Sequence, residues 1–514
     1  MNLRNGVIRV NKERGLGVIL QYVQMALSII ISLIYTPIML KILGKTEYGI
    51  YNLASSIIAY LSLLSLGFGG SYIRFYSIYK KNNDNESLKK MNGLYLFVFS
   101  IMGIVSLLAG LLLANNIQIF FNNTYSDHDL YVAKVLMIFL AVNMAISFPA
   151  SVFVSYISSQ EKFIFQKIVN MGKTIISPTV NIIFLYLGYG SIGMVISTTL
   201  ISFLIDIINV AYCIKKLKMC ISFKKMNFSL LKRIFVFSAF LALSQVIDQI
   251  NWQTDKVILG KMINGAAVAI YTVGANLNGM YISFSTAISS VFSPKVNMIV
   301  QKGEDDMDLQ LTNLMIKVGR IQWFILMLAL LGFIFFGKFF IYNWAGADYG
   351  TSYYVTLLLI APVTIPLIQN IGLEIQIAKN KHQFRSIAYA IMAILNVGVS
   401  ILFCYLWGTI GVAIGTTISL LIANALIMNI YYQKKLGINI IGFWKSIGST
   451  LPGMIIPVLC GVCLILFYNF NSLFDFVLLA LTYSIIYCIS IYFLGMNNEE
   501  RNIIKGLYNK VLRR

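Results

Sequence analysis

Histidine is almost missing from these 514 residues, and acidic residues number 19. The two histidines, His128 and His382, fall in different loops, so no set of metal ligands can be assembled around them. Charge of either sign is scarce, 11% of residues, while 58% are apolar. Soluble domains carry about a quarter charged residues, so a soluble globular protein is excluded. Proline is rare as well: all eight lie within or at the ends of apolar runs, where they act either as hinges or as static kinks. Six cysteines also sit in or beside apolar runs. Cys460 and Cys463 have redox or zinc spacing, but they stand inside the apolar stretch 451–467 without a second pair or a histidine nearby. They read as small buried apolar residues. Phosphate-loop chemistry is absent too. Gly44-Lys45-Thr46 and Gly172-Lys173-Thr174 look like the end of such a loop, yet Met39 and Lys167 stand where its first glycine is required. No nucleophile–base set appears, so neither catalysis nor a cofactor is expected.

What the chain does have is a succession of apolar runs of roughly 20 residues, the length that crosses a ~30 Å hydrocarbon layer as a helix. Fourteen spans are expected, at 16–40, 48–72, 91–114, 131–156, 165–187, 190–213, 234–254, 266–292, 318–341, 351–377, 385–406, 409–432, 448–468 and 474–495. A β-barrel would alternate polar and apolar residues over ~10-residue strands, and this chain does not. The run after the basic start is too long for a signal-peptide core and ends in no small-x-small site, so the first span is expected to be retained. With the N-terminus placed in the cytoplasm, 33 of the 40 Lys and Arg residues fall on the inner side and six on the outer, with Lys173 left inside a span. That bias predicts both termini inside. It also accounts for the formal charge of +21 through anionic inner-leaflet lipid, without nucleic acid.

Three stretches of the chain repeat. Ile42-Leu43-Gly44-Lys45, followed by Gly49-Ile50-Tyr51, returns as Ile258-Leu259-Gly260-Lys261, followed by Ala269-Ile270-Tyr271. Gly190-Ser191-Ile192-Gly193 returns as Gly408-Thr409-Ile410-Gly411, and Lys215-Lys216-Leu217 as Lys434-Lys435-Leu436. The offsets stay between 216 and 220. An offset spanning six helices, an even number, predicts parallel repeats about an axis along the membrane normal. The expected architecture is all-α and polytopic: an N-lobe at 1–225, a C-lobe at 226–440, and an appendage of two spans with a basic tail at 441–514. The two lobes are expected to face each other across a polar cavity.

Ionisable groups within spans are costly and are weighed one by one. Arg74 closes the glycine-rich end of the second span, either as an inner anchor or as a bidentate ligand for a diphosphate. Lys173 and Asp206 lie on adjacent antiparallel spans, as a structural ion pair or as a substrate cation with its counter-charge. Asp248 either carries a coupling ion or faces an outer vestibule, and Asp206 is the other candidate for ion coupling. Amides on spans 1, 7 and 8, among them Gln24 and Asn276, suit a sugar-lined path. Glu374 is expected at the interface near Lys379.

Pro37, Leu43-Gly44-x-x-Glu47-Tyr48-Gly49-Ile50-Tyr51, Leu66-Gly67 with Arg74, and Asp255-Lys256-x-Ile258-Leu259-Gly260 with Tyr271 together resemble the Wzx-type polysaccharide flippases. These belong to the multidrug/oligosaccharidyl-lipid/polysaccharide (MOP) exporter superfamily. The resemblance implies a two-lobed MATE/MOP-like transporter in a bacterial cytoplasmic membrane. It would move undecaprenyl-diphosphate-linked oligosaccharide to the outer leaflet by alternating access, for capsule, O-antigen or exopolysaccharide synthesis, with polymerase and glycosyltransferases as partners. Related lipid II flippases place cavity arginines on spans 1, 2 and 8, which implies roles for Arg14, Arg74 and Lys295. Two readings share the fold: a cation-coupled multidrug exporter and a lipid II flippase. A membrane glycosyltransferase or polymerase would need a larger outer loop than 115–130, whose acidic residues are Asp127 and Asp129.

Overall fold

The computed structural model describes residues 2–65, 67–224, 228–381, 383–468, 472–502 and 505–506. Side chains are described from residue 19 onward, apart from 228–229, 235–237, 239–241 and 243–244. The Arg14 side chain, Leu66 and His382 therefore lie outside the described residues. Among the described residues all regular structure is helical.

The chain forms two compact units, Met1–Thr272 with Val397–Val412, and Val273–Asn396 with Ala413–Arg514. In the first, α1 (Asn2–Ala59) is kinked at Gly44, which adopts φ 71°, and runs into a 3₁₀ turn at Tyr60–Ser65. Then come α2 (Phe68–Lys81), α3 (Asn85–Asn115), α4 (Asp127–Ser159), α5 (Phe163–Tyr186), α6 (Gly190–Ala211) and α7 (Phe228–Met262). α8 (Gly265–Ser290) leads into the second unit, which holds α9 (Ser293–Lys302), α10 (Met307–Trp344), α11 (Thr351–Ile368) and α12 (Asn370–Ala378). α13 (Gln383–Leu421) is kinked at Gly408. It is followed by α14 (Asn429–Lys435), α15 (Ile440–Gly448), α16 (Pro452–Phe467) and α17 (Leu473–Ser490).

Nine helices among the described residues are long and apolar enough to cross a membrane, or ten if α15 and α16, bent by 49°, count as one span. Fourteen were expected, and part of the difference is one of continuity. Ile19–Lys81 and Gln383–Lys435 run for 63 and 53 residues. At 1.5 Å per residue that is roughly 95 and 80 Å of helix, well beyond one ~30 Å crossing. The positive φ at Gly44 and Gly408 divides each. α7 and α8 are not among these nine; α7 holds side chains outside the described residues, and Asn276 and Asn278 interrupt the apolar run of α8.

Each unit holds the polypeptide that follows its sixth expected span in the same way. In the first unit, Asn92 on α3 donates to the Cys220 carbonyl at 2.9 Å and accepts from the Tyr72 hydroxyl at 2.6 Å. Ser222 N donates to Lys89 O at 3.0 Å. In the second, Thr312 on α10 accepts from Asn439 N at 3.2 Å. Lys379 reaches Leu436 O at 2.8 Å and Asp308 Oδ1 at 2.6 Å. Lys379 thus pairs with Asp308, and Glu374 accepts instead from Ser293 Oγ at 2.6 Å.

Pro149 and Pro366, 217 residues apart in the fourth span of each expected lobe, behave differently. Pro149 sits inside an unbroken α4. As proline it cannot donate to Ala145 O, and bare Gly103 of α3 packs against that carbonyl so closely that a Cβ would stand 2.5 Å from it. Pro366 lies three residues before the break between α11 and α12 at Gln369. There Ser285 Oγ donates to Leu367 O at 3.0 Å, a side-chain bond to a carbonyl in the last turn of α11.

Candidate functional site

The repeated glycine–tyrosine segments of the first unit form one junction. Gly44 turns the chain, and Glu47, three residues later, points its Oε1 at Ser191 N, 2.6 Å away, at the start of α6. A carboxylate there satisfies an amide that has no helical acceptor and meets the positive end of the helix dipole. Gly49 lies against the beginning of α8, where a Cβ would stand 1.7 Å from Gly265 O. The loop between α3 and α4 fastens the α7–α8 turn: Asn122 donates to Ile263 O at 3.0 Å, Tyr125 donates to Gly260 O at 3.1 Å, and Lys261 donates to Gln118 O at 2.8 Å. Asp255, 2% exposed, accepts from the Tyr271 hydroxyl.

Further along α7, a line of polar contacts joins it to the 3₁₀ turn. The Tyr60 and Thr254 hydroxyls lie 2.5 Å apart, Gln249 Nε2 donates to Ser62 Oγ at 3.2 Å, and Ser65 Oγ donates to Gln245 Oε1 at 3.3 Å. On the other side of the unit α5 presents its own polar side chains. Lys167 donates to Gln21 Oε1 of α1, and Asn181 accepts from Ser197 and Thr198 of α6. A membrane-crossing bundle holds such groups where helices or a polar ligand satisfy them.

The sequence profile of the family described as polysaccharide biosynthesis protein matches residues 17–300, more than half of the chain. The chain belongs to that family. Its membership accords with the resemblance carried by the Gly44–Tyr51 and Asp255–Gly260 segments. The uncharacterized membrane protein EpsK of Bacillus subtilis (strain 168) is 21% identical over 498 residues, covering 94% of this chain and 96% of that protein. Among solved structures, the lipid II flippase MurJ in an inward closed conformation superposes with a TM-score of 0.72 at 18% identity, covering 95% of this chain and 99% of that one. An inward-facing multidrug resistance MATE transporter of the MOP superfamily reaches 0.66 at 13% identity, over 82% and 96%. The fold is therefore the MurJ/MATE-like one.

Within this family member the expected site residues are distributed as follows. In the first unit, Arg74 is exposed on α2 and Asp248 is exposed on α7. Gln24 is half-buried on α1, and its Oε1 is buried without a hydrogen-bond partner. Lys173 and Asp206, both half-buried, stand close enough for their charges to act on one another, but they do not close into a direct ion pair. Asn276 is half-buried on α8 in the second unit. Lys295 does not belong to α8 as expected. That helix ends at Ser290, and Pro294, in the first turn of α9, starts a separate helix on which Lys295 is exposed.

Sequence reasoning missed Arg320, which it counted among the inner-face cations. Arg320 is 3% exposed on α10 and all its donor directions are used. Nε and Nη2 hold the Glu500 carboxylate at 2.6 and 2.8 Å, Nη1 reaches Ser446 O at 2.6 Å and Ser449 Oγ at 3.0 Å, and Nη2 reaches Gly495 O at 3.0 Å. The position of Arg320 ahead of an apolar run was the available signal, but its partners lie 126 to 180 residues away.

Proposed function

We propose that this chain is a flippase carrying polyprenyl-diphosphate-linked oligosaccharide from the cytoplasmic to the outer leaflet by alternating access. The proposal includes fourteen spans in two parallel six-helix lobes at 1–225 and 226–440, a C-terminal pair of spans, and both termini in the cytoplasm. The observation that carries it is the family match over residues 17–300, joined to a fold shared with a lipid II flippase along 95% of the chain. The physical demand is clear: a hydroxylated head and a diphosphate do not cross hydrocarbon unaided. Arg74 is proposed to hold the diphosphate, since a guanidinium grips such oxygens in pairs. Glycosyltransferases that build the substrate and a polymerase that consumes it are the proposed partners.

The test is a deletion strain and reconstituted proteoliposomes. Without the protein, lipid-linked glycan should accumulate facing the cytoplasm. Arg74→Ala should abolish transport while membrane insertion stays normal, and Arg74→Lys should restore only part of it. Full transport by Arg74→Ala would reduce Arg74 to an anchor.

A second reading, a cation-coupled exporter, draws on the MATE likeness and on Asp206 and Asp248 as ion-coupling groups. It requires that Asp206→Asn or Asp248→Asn abolish an imposed ion gradient's effect on transport of an organic cation.

A further inference from the structure

Three helices of the second unit are interrupted near one level. α8 stops at Ser290, and α9 starts at Ser293 with Pro294 in its first turn. Gln369, at φ −103° and ψ 11°, separates α11 from α12. Between α13 and α14 the chain widens into a π-helix over Ile422–Met428, a winding found mostly at functional sites. Hydrogen bonds fix the register. Ser285 Oγ meets Leu367 O at 3.0 Å, and Ser293 Oγ meets Glu374 Oε2 at 2.6 Å, so the first two breaks lie within about one helical turn of each other. Gln369 Nε2 donates to Asn429 Oδ1 at 2.7 Å, which sets the end of the π-helix at the same level. Beyond it the short helices hold together. Val296, Ile299, Ile371, Ile375 and Tyr432 share one buried cluster, Lys381 Nζ reaches Lys435 O at 2.8 Å, and the Tyr431 hydroxyl reaches Lys381 O at 2.8 Å. α10 runs past this level unbroken, and its bare Gly319 admits Ile368 O so closely that a Cβ would stand 2.7 Å from it. One buried group on the short helices is out of place. Gln376 on α12 is 0% exposed, and among the described residues neither its Oε1 nor its Nε2 has a hydrogen-bond partner. A primary amide left this way has lost its water and gained nothing in return.

We propose that α9, α12 and α14 form one body that pivots against α10 at the level of Gln369, opening and closing the inner end of the second unit. The Gln376 amide finds its partners in the other arrangement, which offsets what its burial costs in this one. The assignment rests on the alternating-access reading above. The fold makes the motion cheap. Pro294 and Pro366 cannot donate to Ser290 O and Pro362 O, so the helical ladder is already weakened beside two of the breaks. The pivot meets the continuous helix at a glycine, with no side chain to climb over. Lys379, at the end of α12, ties the body to α10 by donating to Leu436 O at 2.8 Å and to Asp308 Oδ1 at 2.6 Å. The Asp308 side chain is 50% exposed, so water replaces that tie readily when the body swings.

The test uses the full chain in nanodiscs and dipolar EPR. Spin labels are attached to a genetically encoded keto residue, so that the native cysteines stay in place, at exposed Met298 of α9, Ile377 of α12 and Leu309 of α10. The Met298–Ile377 distance should be single. The distances from each to Leu309 should show two populations. Gln376→Leu removes the unpaired amide and should shift their ratio toward the arrangement described here by about tenfold or more. The same variant should raise the midpoint of thermal unfolding and slow the flipping of lipid-linked glycan in proteoliposomes. Asp308→Asn loosens the tie to α10 and should shift the ratio the other way by about two- to fivefold. A single distance to Leu309 in both the wild type and Asp308→Asn overturns the pivot. So does a lower unfolding midpoint in Gln376→Leu, which would mean that the amide is already satisfied in place, and so does a Met298–Ile377 distance that varies. Two populations in a chain that flips no lipid-linked glycan keep the pivot and overturn the flippase reading.

Discussion

Truncating Arg320 is the most demanding perturbation in the second unit. Its guanidinium ties α10 to the α15–α16 junction through Ser446 and Ser449, and to the polypeptide after α17 through Gly495 and Glu500. Glu500 is fixed from its own side, because Asn497 N donates to Glu500 Oε2 at 2.8 Å and Glu500 N donates to Asn497 Oδ1 at 2.9 Å. Removing one member of a buried, bidentate pair leaves the other charge without compensation, which costs about 3–5 kcal/mol. Arg320→Met should therefore lower stability by about that amount, and Glu500→Leu by a similar amount. In the double variant no unpaired charge remains. Its cost should be no more than that of either single change, set by the orphaned carbonyls of Ser446 and Gly495 at about 1 kcal/mol or more each. Reversible unfolding in mixed micelles measures all three. Hydrogen exchange should report the loss locally, with faster exchange at 446–450 and 495–502 and no change in α3 and α4. Single costs under about 1 kcal/mol, or a double cost equal to the sum of the singles, would refute the argument.

Further substitutions test the first unit. Glu47→Ala removes the carboxylate at the start of α6 and should cost about 1–2 kcal/mol, read by thermal unfolding, with Glu47→Gln recovering part of it. Gly49→Ala drives a methyl into the Gly265 carbonyl, backbone against backbone, so the two helices must separate. A loss of at least about 1–3 kcal/mol is expected, and Gly44→Ala, where the demand is positive φ and nothing lies within 4 Å, should be less sensitive to side-chain size. Asn92→Ala strands the Cys220 carbonyl and the Tyr72 hydroxyl, which should cost about 1–3 kcal/mol and raise proteolysis at 217–224.

The Leu-Gly-x-x-Glu-Tyr-Gly element shows how far a motif can be read. Its order and its echo at Leu259-Gly260 identified the family, but the sequence offered no reason for Glu47. The reason is Ser191, 144 residues away. Gly49 lies within the expected span 48–72, and its requirement is the approach of Gly265. The prolines taught the opposite lesson. Pro149 and Pro366 occupy matching places in the duplicated sequence, and the surrounding helices decide that one frees a carbonyl packed by Gly103 while the other precedes a broken helix. Lys295 was offered near the inner end of span 8 by the resemblance alone, whereas Pro294 starts α9 as a separate helix.

Hydropathy, charge bias and duplication are properties of neighbouring or regularly spaced residues. Linear inspection was therefore enough to establish a helical membrane protein, the course of most of its helices and its family. Which polar groups are consumed by packing and which stay available depends on residues brought together from distant parts of the chain. Tertiary structure alone buries Arg320 in a five-bond knot, turns Glu47 to the start of α6, and sets Gln249 against Ser62, because those outcomes are set by which surfaces meet and not by what any segment prefers by itself.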